Sequence, residues 1–430
     1  MQFPFHPEEF KKYFYNTSWL LGERILRCVA TLIIGILLAR YLGPKQFGIL
    51  NYAISFVLLF LNITSLGLDD ILPRELVKNP SHENELLGTA FLLRLFSGIF
   101  SILLIILINI WRQENFAIIS IIIIIALGLI FKPFLIIESF FYSKVTSQHS
   151  AKAYLFALVI FFLLQIALIL IKAPLIWFAF AILLDGIILA LGLSYNYLKQ
   201  NKKFHAWKHK RNVAISLLHD SWPLILSGMT ISIYMRIDQI MIKNMLDVTQ
   251  VGIYSIAVRI SEAWYFIPVL ICSSLFPAII KFKEHDFIMY NHRLRQLYSL
   301  MILLALSIAI PISFFSKNII SLLFGTEYIG ATSVLKIHIW SAIFVFLGVA
   351  SSRYLLAENF TKISLITTSA SMLINIILNF ILIPLYGIKG AAIATLFSCF
   401  SATFLIIFFK KTYSQGILMI KAFNVLRLFK

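Results

Sequence analysis

The chain of 430 residues is 60% hydrophobic, 15% aromatic and only 13% charged, and its mean hydropathy is +0.90. These values exclude an ordinary soluble domain and indicate a polytopic membrane protein. The formal net charge of +18 would suit nucleic acid only if the chain had a basic soluble face, and it has none of any size, so we expect no nucleic-acid partner.

Apolar segments long enough to cross a hydrocarbon core of about 30 Å recur along the whole chain. We predict an all-α protein with twelve transmembrane helices. They lie near residues 16–40, 47–68, 86–110, 116–138, 151–172, 174–198, 222–244, 251–276, 297–316, 331–352, 362–384 and 390–409.

Lys and Arg are divided unevenly between alternate loops. With the N terminus in the cytoplasm, 23 of them fall in cytoplasmic loops and termini, and 7 fall in loops on the opposite side. Because short cytoplasmic loops carry an excess of Lys and Arg, this asymmetry predicts an even number of spans with both termini cytoplasmic.

The longest polar connection, YLKQNKKFHAWKHKRNVAISLLHDSW, separates the sixth predicted span from the seventh. It predicts an N-terminal six-helix bundle (1–198), a basic cytoplasmic linker (199–221), a C-terminal six-helix bundle (222–410) and a basic cytoplasmic tail (411–430). Within the linker, residues 213–218 fit either a short surface helix against anionic lipid or a loop that only sets the topology.

An internal similarity supports the division into halves. LGPKQFGILNYA, from Leu42 to Ala53, aligns without gaps on LDVTQVGIYSIA, from Leu246 to Ala257, and each segment enters the second helix of its half. Because both halves begin on the cytoplasmic side, they would be parallel repeats related by an axis along the membrane normal.

Several charged residues fall inside predicted spans. A charge at a helix centre costs about 2.5–3.5 kcal/mol on insertion scales, so each needs a partner or a wet cavity. The deep arginines are Arg24, Arg27, Arg94, Arg236 and Arg259, and the acids beside them are Glu23, Asp238 and Glu262.

Helical spacing predicts that Glu23 pairs with Arg27 and that Arg259 pairs with Glu262, whereas Arg236 and Asp238, two residues apart, point in different directions. Two interpretations of these charges remain: they join helices, or they line a hydrated lumen that accepts an anion. The excess of arginine favours the lumen, because planar guanidinium groups suit phosphate oxygens.

Common catalytic and nucleotide-binding motifs are missing from the sequence. Gly-Lys never occurs as a pair, so no Walker A loop exists, and neither an HExxH motif nor a GxSxG motif is found. We therefore expect no ATP hydrolysis, no metal, no cofactor and no enzymatic activity.

Three stretches, ERILRCVATLIIGILLARYLGPKQFGILNYAISFVLLF, LGLDDILPRELVKNP with LLGTAFLLRLFSG, and RIDQIMIKNMLDVTQVGIYSIAVRISEAWYFIP, resemble the polysaccharide transporters of the MOP superfamily, specifically Wzx-type O-antigen flippases. The resemblance implies a bacterial inner-membrane protein with two six-helix bundles around a central cationic lumen. It also implies alternating access and an undecaprenyl-diphosphate-linked oligosaccharide as the substrate, with polysaccharide polymerase machinery as a candidate partner.

The resemblance places Arg24 and Arg259 in the lumen, where related flippases hold diphosphate, and it assigns Arg94 and Asp238 to family motifs. The roles of Arg27, Arg236 and Glu262 follow from position alone. Together, the five arginines are predicted to bind the diphosphate. Glu23, Asp238 and Glu262 are predicted to balance charge or to couple transport to a cation, H⁺ or Na⁺.

Two other functions remain open. A MATE-like exporter of small molecules would share the fold, although its cationic substrates prefer an acidic cavity. An O-antigen polymerase or ligase would also be a multi-span protein that handles the same lipid carrier. Such enzymes usually need a large outside loop, and none is predicted here.

Overall fold

The computed structural model describes residues 7–280, 282–283 and 286–424, and every regular element within these ranges is a helix. The predicted all-α class is therefore confirmed. Lys281 and residues 425–430 of the predicted basic tail lie outside the described residues.

The chain forms two compact units. Unit 1 comprises the chain through Tyr41 together with Ala53–Met229, and unit 2 comprises Leu42–Tyr52 together with the chain from Thr230 onward. The predicted linker and the start of the following helix thus belong to unit 1, while the short segment 42–52 belongs to unit 2.

Unit 1 contains most of the first nine helices, of which the first and the ninth continue into unit 2. Their bounds are α1 Pro7–Leu58, α2 Leu61–Ser65, α3 Leu68–Lys78, α4 Glu83–Trp111, α5 Phe116–Leu127, α6 Ile136–Ser143, α7 Gln148–Leu170, α8 Leu175–Lys199 and α9 Arg211–Met245. Short 3₁₀ segments lie at Pro80–His82, Gly128–Leu135 and Phe204–Ala206.

The remaining helices all belong to unit 2. Their bounds are α10 Val248–Glu262, α11 Phe266–Ile280, α12 Phe287–Phe314, α13 Ser316–Leu323, α14 Ala331–His338, α15 Ser341–Ala357, α16 Thr361–Tyr386, α17 Ile388–Phe404 and α18 Tyr413–Lys421. Two 3₁₀ segments lie at Thr326–Tyr328 and Leu405–Phe408.

The described chain has 10 helical segments that are long and apolar enough to cross a membrane. One of them, Ser18–Lys78, has 61 residues and contains the first predicted span from residue 18 onward and the whole of the second. The seventh predicted span lies in α9, which is not among the ten. The protein is therefore multi-pass. The described chain has ten such segments rather than twelve, because two predicted spans share one segment and the seventh predicted span is not among the ten.

A backbone break at Gly43 divides α1 between its two predicted spans. Gly43 has φ 67° and ψ 171°, a conformation that a side chain would strain, and Pro44 follows it. The chain therefore changes direction at this point without a loop.

The linker is held against unit 1. Lys202 Nζ lies 2.7 Å from the Glu83 carboxylate, and the Lys208 amide donates to the Asn84 carbonyl at 3.1 Å. Residues 213–218 form the beginning of α9, and Leu217, 2% exposed, packs into the core of unit 1. The segment is therefore helical and continuous with α9 rather than a loop; Leu217 packs on unit 1, while Ile215 is 58% exposed.

The two similar segments of the sequence contact each other within unit 2. They share one glycine position, occupied by Gly48 in the first segment and Gly252 in the second. A Cβ at Gly48 would overlap the Val248 carbonyl, and a Cβ at Gly252 would overlap the Pro44 carbonyl. Backbone therefore packs on backbone, and only glycine at both positions permits this approach.

Substitution of Gly48 by alanine is expected to lower the melting temperature, because the added methyl group must push two backbones apart. Overpacking of this kind costs about 1–3 kcal/mol. Gly22→Ala is the matched control, since no atom lies within 4 Å of a Cβ at this helical position. Thermal unfolding of the purified variants in detergent measures both effects, and equal melting temperatures for the two variants would contradict the packing described.

Candidate functional site

The charges on α1 form a cluster with α7. Arg27 Nε donates to Glu23 Oε1 at 2.6 Å, which confirms the predicted pair. The Arg27 guanidinium also lies 3.9 Å from the centre of the Tyr154 ring, a cation–π distance. Glu23 is buried, so this cluster holds its arginine in a defined orientation.

A second carboxylate extends the same cluster. Glu138 on α6 accepts hydrogen bonds from the hydroxyl of Tyr142 and, at 3.0 Å, from that of Tyr154. Tyr154 thus connects Arg27 to Glu138. Glu138 was not predicted from the sequence, because it lies at the end of the fourth predicted span, where a charge needs no explanation. The available signal was its helical spacing from Tyr142.

Arg24 differs from the other deep arginines. Its side chain is exposed, and it makes no ion pair with any side chain in the described part of the chain. Arg24 and Arg27 are three residues apart and lie on neighbouring positions of one helix face. This face of α1 therefore carries more positive than negative charge.

Arg94 occupies a closed environment. It is 1% exposed, and it donates to Asp69 Oδ1 at 2.6 Å and to the Ser65 carbonyl at 3.2 Å. These contacts tie α4 to α2 and α3. In this conformation its guanidinium stabilises the corner between the three helices.

In unit 2, Glu262 forms its ion pair with Arg236, at 3.0 Å, rather than with Arg259 as the sequence spacing predicted. The pairing between helices α9 and α10 replaces the local pairing within α10. Arg259 instead donates to Asn51 Oδ1 at 3.3 Å, and its Cζ lies 5.6 Å from the centre of the Phe47 ring.

Asp238 points away from Arg236, as their spacing predicted. It is 2% exposed and accepts hydrogen bonds from the Tyr254 hydroxyl and, at 3.1 Å, from Thr395 Oγ1. No basic side chain of the described residues forms a salt bridge with it. This buried carboxylate is therefore surrounded by neutral oxygen atoms.

A seam of neutral polar side chains leads away from Thr395. It follows α16 at four-residue intervals through Thr367, Ser371, Asn375 and Asn379, all of them buried. Asn375 donates to Ser398 Oγ on α17 at 3.3 Å, and Asn379 donates to Asn375 Oδ1 at 3.0 Å.

The carbonyl oxygen of the Asn379 side chain ends this seam as a buried acceptor without a hydrogen-bond partner. Burying an acceptor raises the free energy of the folded state unless a donor or a cation binds it.

The seam was not predicted from the sequence because neutral polar residues hardly change the hydropathy of a span, although their i, i+4 spacing was visible.

No group of three or more His, Cys, Asp or Glu side chains suited to a metal is found among the described residues.

A comparison with protein families matches residues 14–283 to the family described as "Polysaccharide biosynthesis protein", which is well over half of the chain. The chain belongs to this family. Residues 223–381 also match the MatE family. The predicted resemblance to polysaccharide transporters of the MOP superfamily is thereby confirmed.

Curated relatives come from Haloferax volcanii. "Probable low-salt glycan biosynthesis flippase Agl15" is 28% identical over 220 residues, which is 50% of this chain and 45% of that protein. "Probable flippase AglR" is 29% identical over 205 residues, 44% of this chain and 40% of that protein. The match thus spans less than half the length of either relative.

Solved structures share the fold over nearly the whole chain. An inward-facing MATE transporter of the MOP superfamily has a TM-score of 0.73 at 13% identity, covering 92% of this chain and 96% of that one. The lipid II flippase MurJ, in an inward closed conformation, has a TM-score of 0.68 at 16% identity, covering 97% and 92%. The predicted MATE/MOP-like fold is confirmed.

Replacement of Asp69 by asparagine is expected to destabilise unit 1 by about 1.5–3 kcal/mol, because it removes the charge-assisted hydrogen bond between the buried Arg94 and a carboxylate that is 61% exposed. Asp220→Asn is the control, since Asp220 pairs with Arg74 at the exposed surface and should contribute at most about 1 kcal/mol. Thermal unfolding measures both. Normal stability of Asp69→Asn together with lost transport would instead indicate that Arg94 and Asp69 act on the substrate.

Proposed function

We propose that the protein is a flippase for an undecaprenyl-diphosphate-linked oligosaccharide, such as an O-antigen repeat unit. It would work by alternating access and move this lipid from the cytoplasmic to the periplasmic leaflet of the bacterial inner membrane. Membership of the polysaccharide biosynthesis family supports a glycan substrate. The flippase names of its relatives and the fold it shares with MurJ support a lipid-linked one.

The observation that carries this proposal is the unbalanced positive charge of α1. Arg24 is exposed and makes no ion pair with a described side chain, while Arg27 is already oriented by Glu23 and Tyr154. A diphosphate offers oxygens that two neighbouring guanidinium groups can bind in a bidentate manner. The low dielectric of a membrane protein strengthens that attraction.

Arg259 of unit 2 is proposed as a further diphosphate-binding residue. Asn51 and Phe47 orient its planar group through a neutral amide and an aromatic ring. Arg236, which is paired with Glu262, would supply charge balance, and the closed position of Arg94 gives it the smallest part in binding. The flipped unit would then be consumed by a polysaccharide polymerase, which we propose as the functional partner.

Alanine at Arg24 or Arg259 is expected to reduce glycan export at least about tenfold, because loss of one charge-assisted hydrogen bond costs about 1.5–3 kcal/mol. Arg293→Ala is the control, since this exposed arginine donates to the neutral Gln296 side chain. Surface glycan and membrane abundance are measured in cells that depend on this protein. If both Arg24→Ala and Arg259→Ala export glycan at the wild-type rate and are normally abundant, neither arginine binds the substrate.

Coupling to a cation is proposed to involve Asp238. Its carboxylate, the hydroxyls of Thr395 and Tyr254, and the amide seam of α16 supply only oxygen ligands, which suit Na⁺ or a proton. Neutralising this carboxylate would remove the one buried charge of the network and alter the packing of α9 against α10 and α17. Cation binding would thereby favour one of two conformations.

Asp238→Asn is expected to abolish the response of transport to an ion gradient while leaving the protein at normal abundance. Thr395→Val should weaken the response, whereas Thr403→Val should not, because the hydroxyl of Thr403, on the same helix, donates to the carbonyls of Phe344 and Cys399 rather than to Asp238. Transport in vesicles is compared under imposed Na⁺ and pH gradients. A full gradient response in Asp238→Asn would exclude this carboxylate as the coupling group.

The match of residues 223–381 to the MatE family supports one alternative, a MATE-like small-molecule exporter. That function would be favoured if cells with the wild-type protein resisted cationic drugs and cells without the protein did not. Accumulation of single glycan repeat units on the cytoplasmic side when the protein is absent would favour the flippase, and accumulation on the outer side would favour a polymerase or ligase.

A further inference from the structure

A groove of about 570 Å³ runs between α7 and α8 of unit 1, away from the charged residues assigned above. Its walls are apolar and are formed mainly by Phe156 and Ile160 of α7 and by Ile188 and Leu191 of α8. Phe156 is 58% exposed and Leu191 is 64% exposed, so the groove is open along its length rather than closed by other helices of the unit.

Small residues make the floor of this groove. Gly192 faces Ala153, and a Cβ at Gly192 would lie 3.3 Å from the Ala153 Cβ. The two helices therefore approach closely here, while the large side chains on either side stand outward. The result is a groove rather than a flat helix–helix surface.

Two lysine side chains give one end of the groove a positive charge. Lys152 lies at the start of α7 and lines the groove. Lys199 ends α8 and lies four residues after Tyr195, on the same helix face. Neither lysine forms a salt bridge with an acidic side chain of the described residues. Both lie on the side predicted to be cytoplasmic.

The same end carries groups typical of a membrane interface. Lys152 Nζ lies 5.5 Å from the centre of the Trp19 ring, and Tyr195, 65% exposed, presents its hydroxyl beside the groove. Indole and phenol groups prefer the headgroup level of a bilayer. The polar end of the groove thus coincides with the predicted lipid–water interface.

The dimensions match one leaflet. From Lys152 to Ile160 the helix rises about 12 Å at 1.5 Å per residue, while half of a hydrocarbon core measures about 15 Å. We infer that this groove binds one anionic glycerophospholipid of the cytoplasmic leaflet, with its phosphate at Lys152 and Lys199 and an acyl chain along the apolar walls.

A lipid in this position would also act on α7. Tyr154, which supports Arg27, lies two residues after Lys152 and therefore on a different face of the same helix. A bound lipid would fix α7 against α8 and so hold Tyr154 beneath the guanidinium. The binding inference depends only on the membrane setting and stands whether or not the protein is a flippase.

Native mass spectrometry of the full-length protein tests the inference, with phosphatidylglycerol and phosphatidylcholine as competing probes. The wild-type protein should retain one phosphatidylglycerol with a preference of about twenty-five-fold, since each of the two lysines near an anionic headgroup contributes about fivefold. Lys152→Gln with Lys199→Gln should lose this preference. The matched pair Lys410→Gln and Lys411→Gln removes the same charge elsewhere and should keep it.

Filling the groove provides a second, independent variant. Ile160→Trp should reduce retention of both phospholipids, because the indole ring occupies the acyl path. An unchanged phosphatidylglycerol preference in the Lys152 and Lys199 variant would overturn the inference. So would displacement of phosphatidylglycerol by an equimolar amount of undecaprenyl phosphate, because the groove would then belong to the carrier lipid. Glycan export measured in parallel separates failure of this inference from failure of the proposed function.

Discussion

The low dielectric of the bilayer is the constraint on which the rest of this structure depends. Each charge placed within a span must find a partner or water, because an isolated one costs several kcal/mol. The protein meets this requirement in three ways: by ion pairs within and between helices, by cation–π contacts with Tyr154 and Phe47, and by hydroxyl groups around Asp238. Arg24 stands apart from all three, and its charge is therefore the one most in need of an anion.

The fold was largely predictable because hydropathy and the distribution of Lys and Arg encode it locally. The borders of the compact units were not, since they depend on contacts between distant residues. Segment 42–52 belongs to unit 2 because Gly48 packs on the backbone of Val248. The two similar segments share a glycine position in the sequence. A shared glycine does not by itself predict that the segments contact each other.

The candidate site divides in the same way. The Glu23–Arg27 pair was predictable because a spacing of four residues on one helix fixes it. The partner of Glu262 was not predictable, because Arg236 lies on another helix and helical spacing describes only pairs within one helix. Glu138 and the seam from Thr367 to Asn379 were overlooked for a further reason. Their influence depends on burial and on neighbouring hydroxyls, which a hydropathy profile does not register.

The central claim is that this chain alone moves a diphosphate-linked glycan lipid across a bilayer by means of Arg24, Arg27 and Arg259. The most direct measurement reconstitutes the purified protein in vesicles that carry a fluorescent undecaprenyl-diphosphate-linked oligosaccharide in the outer leaflet. The account predicts that the label becomes protected from an external quencher much faster than in protein-free vesicles, and that added inorganic diphosphate slows this protection. A rate equal to that of protein-free vesicles would contradict it.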